Sequence, residues 1–230
     1  MWDISAMYMQ IDTGCDAIDE LLGGGLESGT ITELFGGGGT GKTNLCLQIA
    51  KNVALDSKKV AYLDTEGVSM ERLKQISGDH YDQVMNNTLI FRACSFEEQE
   101  EKLNNITNLS LREDMEVGLI VVDSMTVFYR TKLNDGERQS TSARLGRMLI
   151  KLMKVARKLD IPVIVTTQVY GGDDTTKPLG GHILYHNAKT ILKLEELGPH
   201  IRKCTLMKHR SMPERKTTRC KITDEGIVSI

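Results

Sequence analysis

Residues Gly36, Gly37, Gly38, Gly39, Thr40, Gly41, Lys42 and Thr43 fit the phosphate-loop pattern G-x-x-x-x-G-K-[ST], and no other stretch constrains the fold as tightly. Such a loop works only between a strand and a helix. Ile31-Thr32-Glu33-Leu34-Phe35 before it mixes β-branched and large apolar residues as a strand does, and Asn44 to Ala50 after it reads as a helix. The glycines let the backbone turn with positive φ and aim successive N–H groups inward, where the following helix adds the positive end of its dipole. Lys42 is then expected to reach the β- and γ-phosphates of a nucleoside triphosphate, and the Thr43 hydroxyl to ligate Mg²⁺.

A chain of 230 residues can bury a full core, which predicts one α/β domain over 1–230, with a short N-terminal extension over 1–10 and a basic β-hairpin region over 200–230. The five cysteines, Cys15, Cys46, Cys94, Cys204 and Cys220, contain no C-x-x-C pair, so they read as reduced thiols rather than a disulfide frame or a zinc site. No apolar run approaches the length of a membrane span, and the expectation is a soluble cytoplasmic protein. The net charge of −2 is unevenly spread: between Arg202 and Lys221 eight basic residues face one acid, Glu214. A basic segment on an acidic body suits nucleic acid or an acidic partner, and it equally suits a solvated hairpin.

Apolar, β-branched runs recur at Ile31 to Phe35, Val60 to Leu63, Leu89 to Phe91, Leu119 to Val122, Pro162 to Val165 and Thr190 to Leu194, with helical patterns between them. Runs of this kind suit strands buried on both faces, and the alternation predicts a mainly parallel twisted sheet flanked by helices. Beyond it, Arg202 to Lys208 and Arg219 to Ile222 read as strands around a turn at Ser211 to Glu214. Ser140 to Asp160 is amphipathic, with Leu145, Met148, Leu152, Val155 and Leu159 on one face. Arg144, Arg147, Lys151, Lys154 and Lys158 form a basic stripe beside it, readable as a solvated face or as a nucleic-acid track.

The remaining chemistry is expected at strand ends. Asp123 follows four apolar residues, a position from which a carboxylate can order the waters on Mg²⁺. Glu66, in Asp64-Thr65-Glu66-Gly67, is placed to polarise an attacking water, while Asp64 reads as an acid that caps the next turn. Gln168 closes Ile164 to Thr167 with a neutral amide, which is either a γ-phosphate sensor or an ordinary loop glutamine. His182 and His186 have a helical metal spacing but no third ligand in sequence, so no zinc is expected. Glu97, Glu98, Glu100 and Glu101 open a helix, where acids complement the dipole.

Thr13 to Gly25, Gly29 to Gly36 and the phosphate loop, followed in order by Asp64 to Gly67, Asp123-Ser124, Thr167-Gln168-Val169 and Pro178 to Leu184, resemble the core of the RecA/RadA recombinase family from about residue 11 onward. The resemblance implies a RecA-like P-loop NTPase core that binds ATP and Mg²⁺. It assigns Lys42 and Thr43 to phosphate and metal, Glu66 to the water, Asp123 to the metal, and Gln168 to coupling the γ-phosphate with a DNA-binding loop.

The departures from the family pattern are specific. About ten residues precede the core, with no room for the helix-hairpin-helix domain of archaeal and eukaryotic members, and Ile4-Ser5-Ala6-Met7 does not resemble their phenylalanine-x-x-alanine docking segment. The two DNA-loop regions, Arg130 to Gln139 and Tyr170 to Gly181, look short, and the second carries Asp173-Asp174. This pattern is similar to the short archaeal paralogue of the family, an accessory factor of recombination and repair that binds DNA, hydrolyses ATP slowly and does not exchange strands. Expected partners are DNA, a RadA-type recombinase and a Holliday junction resolvase. Arg130, Lys132, Arg138 and Lys177 are the candidate DNA contacts, and Lys208 and Arg210 correspond to cations that serve a neighbouring subunit's nucleotide. Two alternatives stay open, a regulatory ATPase of the circadian-clock type that needs no DNA, and a nucleotide-stabilised scaffold.

Overall fold

The computed structural model describes residues 9–134, 138–170 and 177–230, without the side chains of Asn134, Tyr170 and Lys177. A two-stranded ribbon, β1 (Gln10–Ile11) with β2 (Leu26–Glu27), brackets helix α1 (Asp16–Leu22) and delivers the chain to β3 (Ile31–Phe35). After the phosphate loop come α2 (Lys42–Leu55), β4 (Lys59–Asp64), α3 (Met70–Ser77), α4 (Tyr81–Asn87), β5 (Thr88–Arg92), α5 (Phe96–Ser110) and β6 (Val117–Asp123). Next are α6 (Val127–Asn134), α7 (Arg138–Leu159), β7 (Val163–Thr167) and a small ribbon of β8 (Val169–Tyr170) with β9 (Lys177–Pro178). The chain then runs through α8 (Gly181–Asn187), β10 (Thr190–Gly198), β11 (Ile201–Lys208), β12 (Thr217–Thr223) and β13 (Gly226–Ser229).

One nine-stranded sheet, ordered β13-β12-β11-β10-β3-β7-β6-β4-β5, carries these elements. From β10 to β5 every neighbouring pair is parallel, as the apolar runs predict. Alternate residues feed two cores. Leu34, Val60, Tyr62, Leu119, Val121 and Ile164 face one side with α1 to α4, and Phe35, Ala61, Leu63, Ile120, Val122 and Val165 face the other with α5 to α8. Burial on both faces is why these strands are continuously apolar rather than alternating. The chain leaves β3 for β4, three positions along the sheet, and later returns to β10 on its other side, so a crevice opens at the carboxyl end of β3.

The expected C-terminal hairpin is larger than the sequence indicates. β10 to β13 form an antiparallel meander, with β13 pairing Ile227 to Ile222. Gly226-Ile227-Val228-Ser229 is too short to read as a strand alone; it becomes one because α2 and α1 cover it. Gln48 of α2, 4 % exposed, makes the joint: its Nε2 donates to Thr13 O (3.1 Å) and Ile227 O (3.0 Å), and its Oε1 accepts from Ile227 N (2.6 Å). Gln48→Ala leaves these three backbone groups without partners, and urea unfolding should show a loss of about 2–4 kcal/mol. An unchanged midpoint would mean that water reaches them.

The first predicted DNA loop is mostly helical. Arg130 and Lys132 lie on α6 and Arg138 opens α7, because Val127 to Leu133 contains neither Gly nor Pro to interrupt a helix. α7 starts two residues before the sequence reading and buries Leu145, Met148, Leu152 and Val155 as expected. Ile4 to Met7 and Asp173-Asp174 lie outside the described residues.

Candidate functional site

The phosphate loop turns where the register of β3 ends. Gly36 sits so close to the Leu194 carbonyl of β10 that a Cβ would collide with it, which is a packing reason for the first glycine. Gly39 (φ +73°) and Gly41 (φ +100°) take left-handed conformations that side chains resist, and open space surrounds Gly38 and Gly39. Thr40 Oγ1 donates to Gly37 O at 2.9 Å and braces the turn. Lys42, 9 % exposed, folds back over the loop, its Nζ donating to Gly36 O (2.8 Å) and Gly37 O (2.9 Å). Burial lowers the affinity of this amine for its proton, and the carboxylates of Glu66 and Asp123 oppose that shift.

Asp123 lies 1 % exposed at the carboxyl end of β6 and accepts three hydroxyl hydrogen bonds. Thr43 Oγ1 donates to its Oδ2 at 2.8 Å and Tyr62 OH to the same oxygen at 2.9 Å, while Thr166 Oγ1 donates to Oδ1 at 2.5 Å. Donors to both oxygens satisfy a carboxylate that burial cuts off from water. The Tyr62 phenol is pushed well up by burial and then by the charge of Asp123, so it remains a donor. Sequence reading paired Thr43 with Asp123 but missed Tyr62 and Thr166; its one available signal was a phenol inside the otherwise aliphatic run Val60 to Leu63. The hydroxyl of Thr43 and the carboxylate of Asp123 offer two hard oxygen ligands side by side, a set that suits Mg²⁺ with water and phosphate completing its shell.

Asp64 caps the next turn, as its sequence context suggested. Its Oδ1 accepts from Glu66 N (3.2 Å) and Gly67 N (2.8 Å), and its Oδ2 from Val68 N (2.9 Å). The turn so fixed projects Glu66 out of the sheet, exposed, beside a cleft of about 520 Å³ lined by Asp64, Thr65, Gly67, Val68, Arg92 and Phe128. Gln168 comes from the end of β7, and its Nε2 donates to Glu66 Oε1 at 3.2 Å. Its backbone is tied on both sides, N–H to Thr126 Oγ1 (3.2 Å) and C=O accepting from Leu179 N (2.8 Å), so the amide is coupled to the segment that follows β9.

Arg130 and Arg138 meet the base of that segment. A cleft of about 460 Å³ is lined by Tyr129, Arg130, Leu133, Arg138, Ser142 and Leu179 to Gly181. Lys132 points elsewhere, with Nζ 3.1 Å from Glu97 Oε1. The side chain of Lys177 lies outside the described residues.

The basic tail is not one surface. Arg202, 8 % exposed, donates from Nη2 to Gly39 O of the phosphate loop at 3.0 Å. Lys208 Nζ donates to Tyr185 O and to Ala188 O (2.8 Å), capping the end of α8, and Arg210 Nε lies 2.9 Å from Glu27 Oε2. Lys208 pairs in register with Ile191 near the start of β10, at the end of the parallel strands opposite the phosphate loop. Arg219 and Lys221 are the solvated alternate positions of β12 around buried Cys220. Of the remaining candidates, His182 Nδ1 and His186 Nε2 share a hydrogen bond at 2.8 Å, and Arg72 is held by the carbonyls of Thr223 and Asp224. Among the described residues no group of three or more His, Cys, Asp or Glu side chains gathers as a metal site, and no helix is long and apolar enough to cross a membrane.

Known proteins resemble this chain along almost its whole length. The family model for Rad51 matches residues 5–230. The DNA repair and recombination protein RadB of Methanococcoides burtonii is 41 % identical over 221 residues, covering 95 % of this chain and 97 % of that one. RadB of Archaeoglobus fulgidus is 43 % identical over 222 residues, covering 95 % and 98 %. A crystal structure of the RadB recombinase superposes with a TM-score of 0.81 at 35 % identity, over 96 % of this chain and all of that one.

Proposed function

The chain belongs to the Rad51 family, and from that premise we propose that it is an ATP- and DNA-binding accessory factor of DNA recombination and repair that hydrolyses ATP slowly. The recombination and repair role follows the RadB relatives. The observation that carries the nucleotide chemistry is the meeting, at adjacent strand ends, of Lys42, the Thr43–Asp123 pair and the Glu66–Gln168 pair.

In this reading the loop amides and Lys42 hold the triphosphate, the lysine exchanging two carbonyl partners for phosphate oxygens. Thr43 and Asp123 hold Mg²⁺, which when bound polarises the phosphate oxygens. Tyr62 and Thr166 orient the Asp123 carboxylate. Glu66 accepts the proton of the attacking water, and Gln168 keeps its carboxylate in position while linking it to the segment beyond β9. Lys208 and Arg210 stand at the far end of the sheet from this chain's own loop, so any phosphate they serve belongs to another subunit; a RadA-type recombinase is the proposed partner, with a Holliday junction resolvase as a further one.

DNA is proposed to enter the cleft between Arg130, Arg138 and Leu179 to Gly181 through its phosphates. Single-stranded DNA titrated across salt concentrations, with and without ATP, tests this directly. Affinity should fall linearly in log salt, and Arg130→Ala with Arg138→Ala should flatten the slope by about 1–2. Affinity equal at low and high salt would sink the DNA reading and favour a nucleotide-driven regulator that needs no DNA.

A further inference from the structure

We infer that helix α7 carries a second polyanion-binding face, separate from the loop cleft, that takes the phosphate backbone of duplex DNA; the inference rests on the reading that this chain handles DNA. α7 holds seven basic residues and no acid over Arg138–Leu159. Among the described residues only Arg144 of the seven meets carboxylates, Glu97 and Glu100 of α5. Lys151 donates to the neutral Asn104 of α5. Arg147, Lys154, Arg157 and Lys158 stand exposed, with no carboxylate partner among the described residues.

Their spacing makes a track rather than a scatter. Arg147, Lys151, Lys154 and Lys158 follow steps of four, three and four, so they fall in one stripe, about 16 Å long at a rise of about 1.5 Å per residue. Arg157 turns off the stripe into a cavity of about 350 Å³ at the amino ends of the strands, lined also by Thr30, Asn187, Lys189 and Arg210. The opposing charges there are Asp160, in the same lining, and Glu27, which already holds Arg210. The excess is cationic. This end of α7 lies about 28 Å along the helix from Arg138, so it is not part of the loop cleft.

The chemistry of the face selects the occupant. A protein interface of useful strength needs an apolar centre, and on α7 itself the only large exposed apolar side chain is Ile150. Unpaired bases need aromatic platforms, and the exposed positions of α7 supply none. A straight row of cations without stacking groups matches the dense, regular phosphates of a duplex and reads no sequence.

The test is a neutralising variant, Arg147→Gln, Lys154→Gln, Arg157→Gln and Lys158→Gln, made in the full chain. All four sites are exposed, and unchanged thermal unfolding and unchanged nucleotide binding serve as the folding control. Fluorescence anisotropy with a duplex of about 30 base pairs and a single strand of equal length, across salt, gives the readout. The expected result is duplex affinity weakened about tenfold or more and a log–log salt slope reduced by about 3, with single-strand affinity within about twofold of wild type. Duplex affinity and slope equal to wild type would overturn the α7 track while leaving DNA binding through the loop cleft intact. Equal loss on both probes would overturn the duplex assignment, and loss of recombinase binding alone would reassign the face to an acidic protein. A wild-type chain that binds neither probe would overturn the DNA reading itself.

Discussion

Lys42→Ala is expected to abolish ATP hydrolysis and to weaken nucleotide binding by roughly a hundredfold, about 2.7 kcal/mol. Two effects add. The ammonium is lost from the phosphate site, where a charge-assisted hydrogen bond in a mostly buried setting is strong. The Gly36 and Gly37 carbonyls, which it now holds at 2.8 and 2.9 Å, also lose their donor, so the loop that must present its amides is less well ordered. Calorimetric titration with a non-hydrolysable ATP analogue measures the first quantity and phosphate release the second. Binding at the wild-type level would mean that the loop amides alone supply the affinity, contrary to the role proposed for the lysine.

Glu66→Gln is expected to separate binding from chemistry. The replacement keeps size and an Oε1 that still accepts from Gln168 Nε2, so the geometry of the pair at 3.2 Å is retained and only the basic oxygen is removed. Turnover should fall roughly a hundredfold or more with Mg-ATP affinity within about twofold. Glu66 is exposed, and unfolding stability should not change. A variant turning over at the wild-type rate would move the base elsewhere. Asp64 is not a ready substitute, because three backbone N–H groups already occupy its two oxygens.

The local signals in this chain were strong where one element sufficed to generate them. The six parallel strands, read from continuous apolar runs, and the helix after the loop and the core face of α7, read from helical patterns, all follow from burial, and the structure has each of them. The phosphate loop is equally legible because its backbone demands glycine at fixed positions, one against Leu194 O and two at positive φ. Asp64 as a capping acid and Asp123 at a strand end are likewise local, each set by its place at the end of an apolar run.

Apart from the pairing of Thr43 with Asp123, the sequence did not carry the contacts between elements distant along the chain. Tyr62 reaches Asp123, Gln168 reaches Glu66 and Arg202 reaches Gly39 across 61, 102 and 163 positions, and only the register of β3, β4, β6, β7 and β11 brings them together. The same dependence explains the tail: Arg202 reaches a phosphate-loop carbonyl, Lys208 a helix end and Arg210 a glutamate because the register of β10 with β11 shifts between Leu206 and Lys208 and the chain leaves β11 before Arg210, while Arg219 and Lys221 alternate into solvent around Cys220. β13 existed as a strand only once α1 and α2 covered it. Composition and period therefore determined which residues form strands, helices and the loop, since those depend on neighbours a few residues away. The tertiary structure alone decided which charges stand free on α7 and which side chains share a site, because both depend on what the sheet order places beside them.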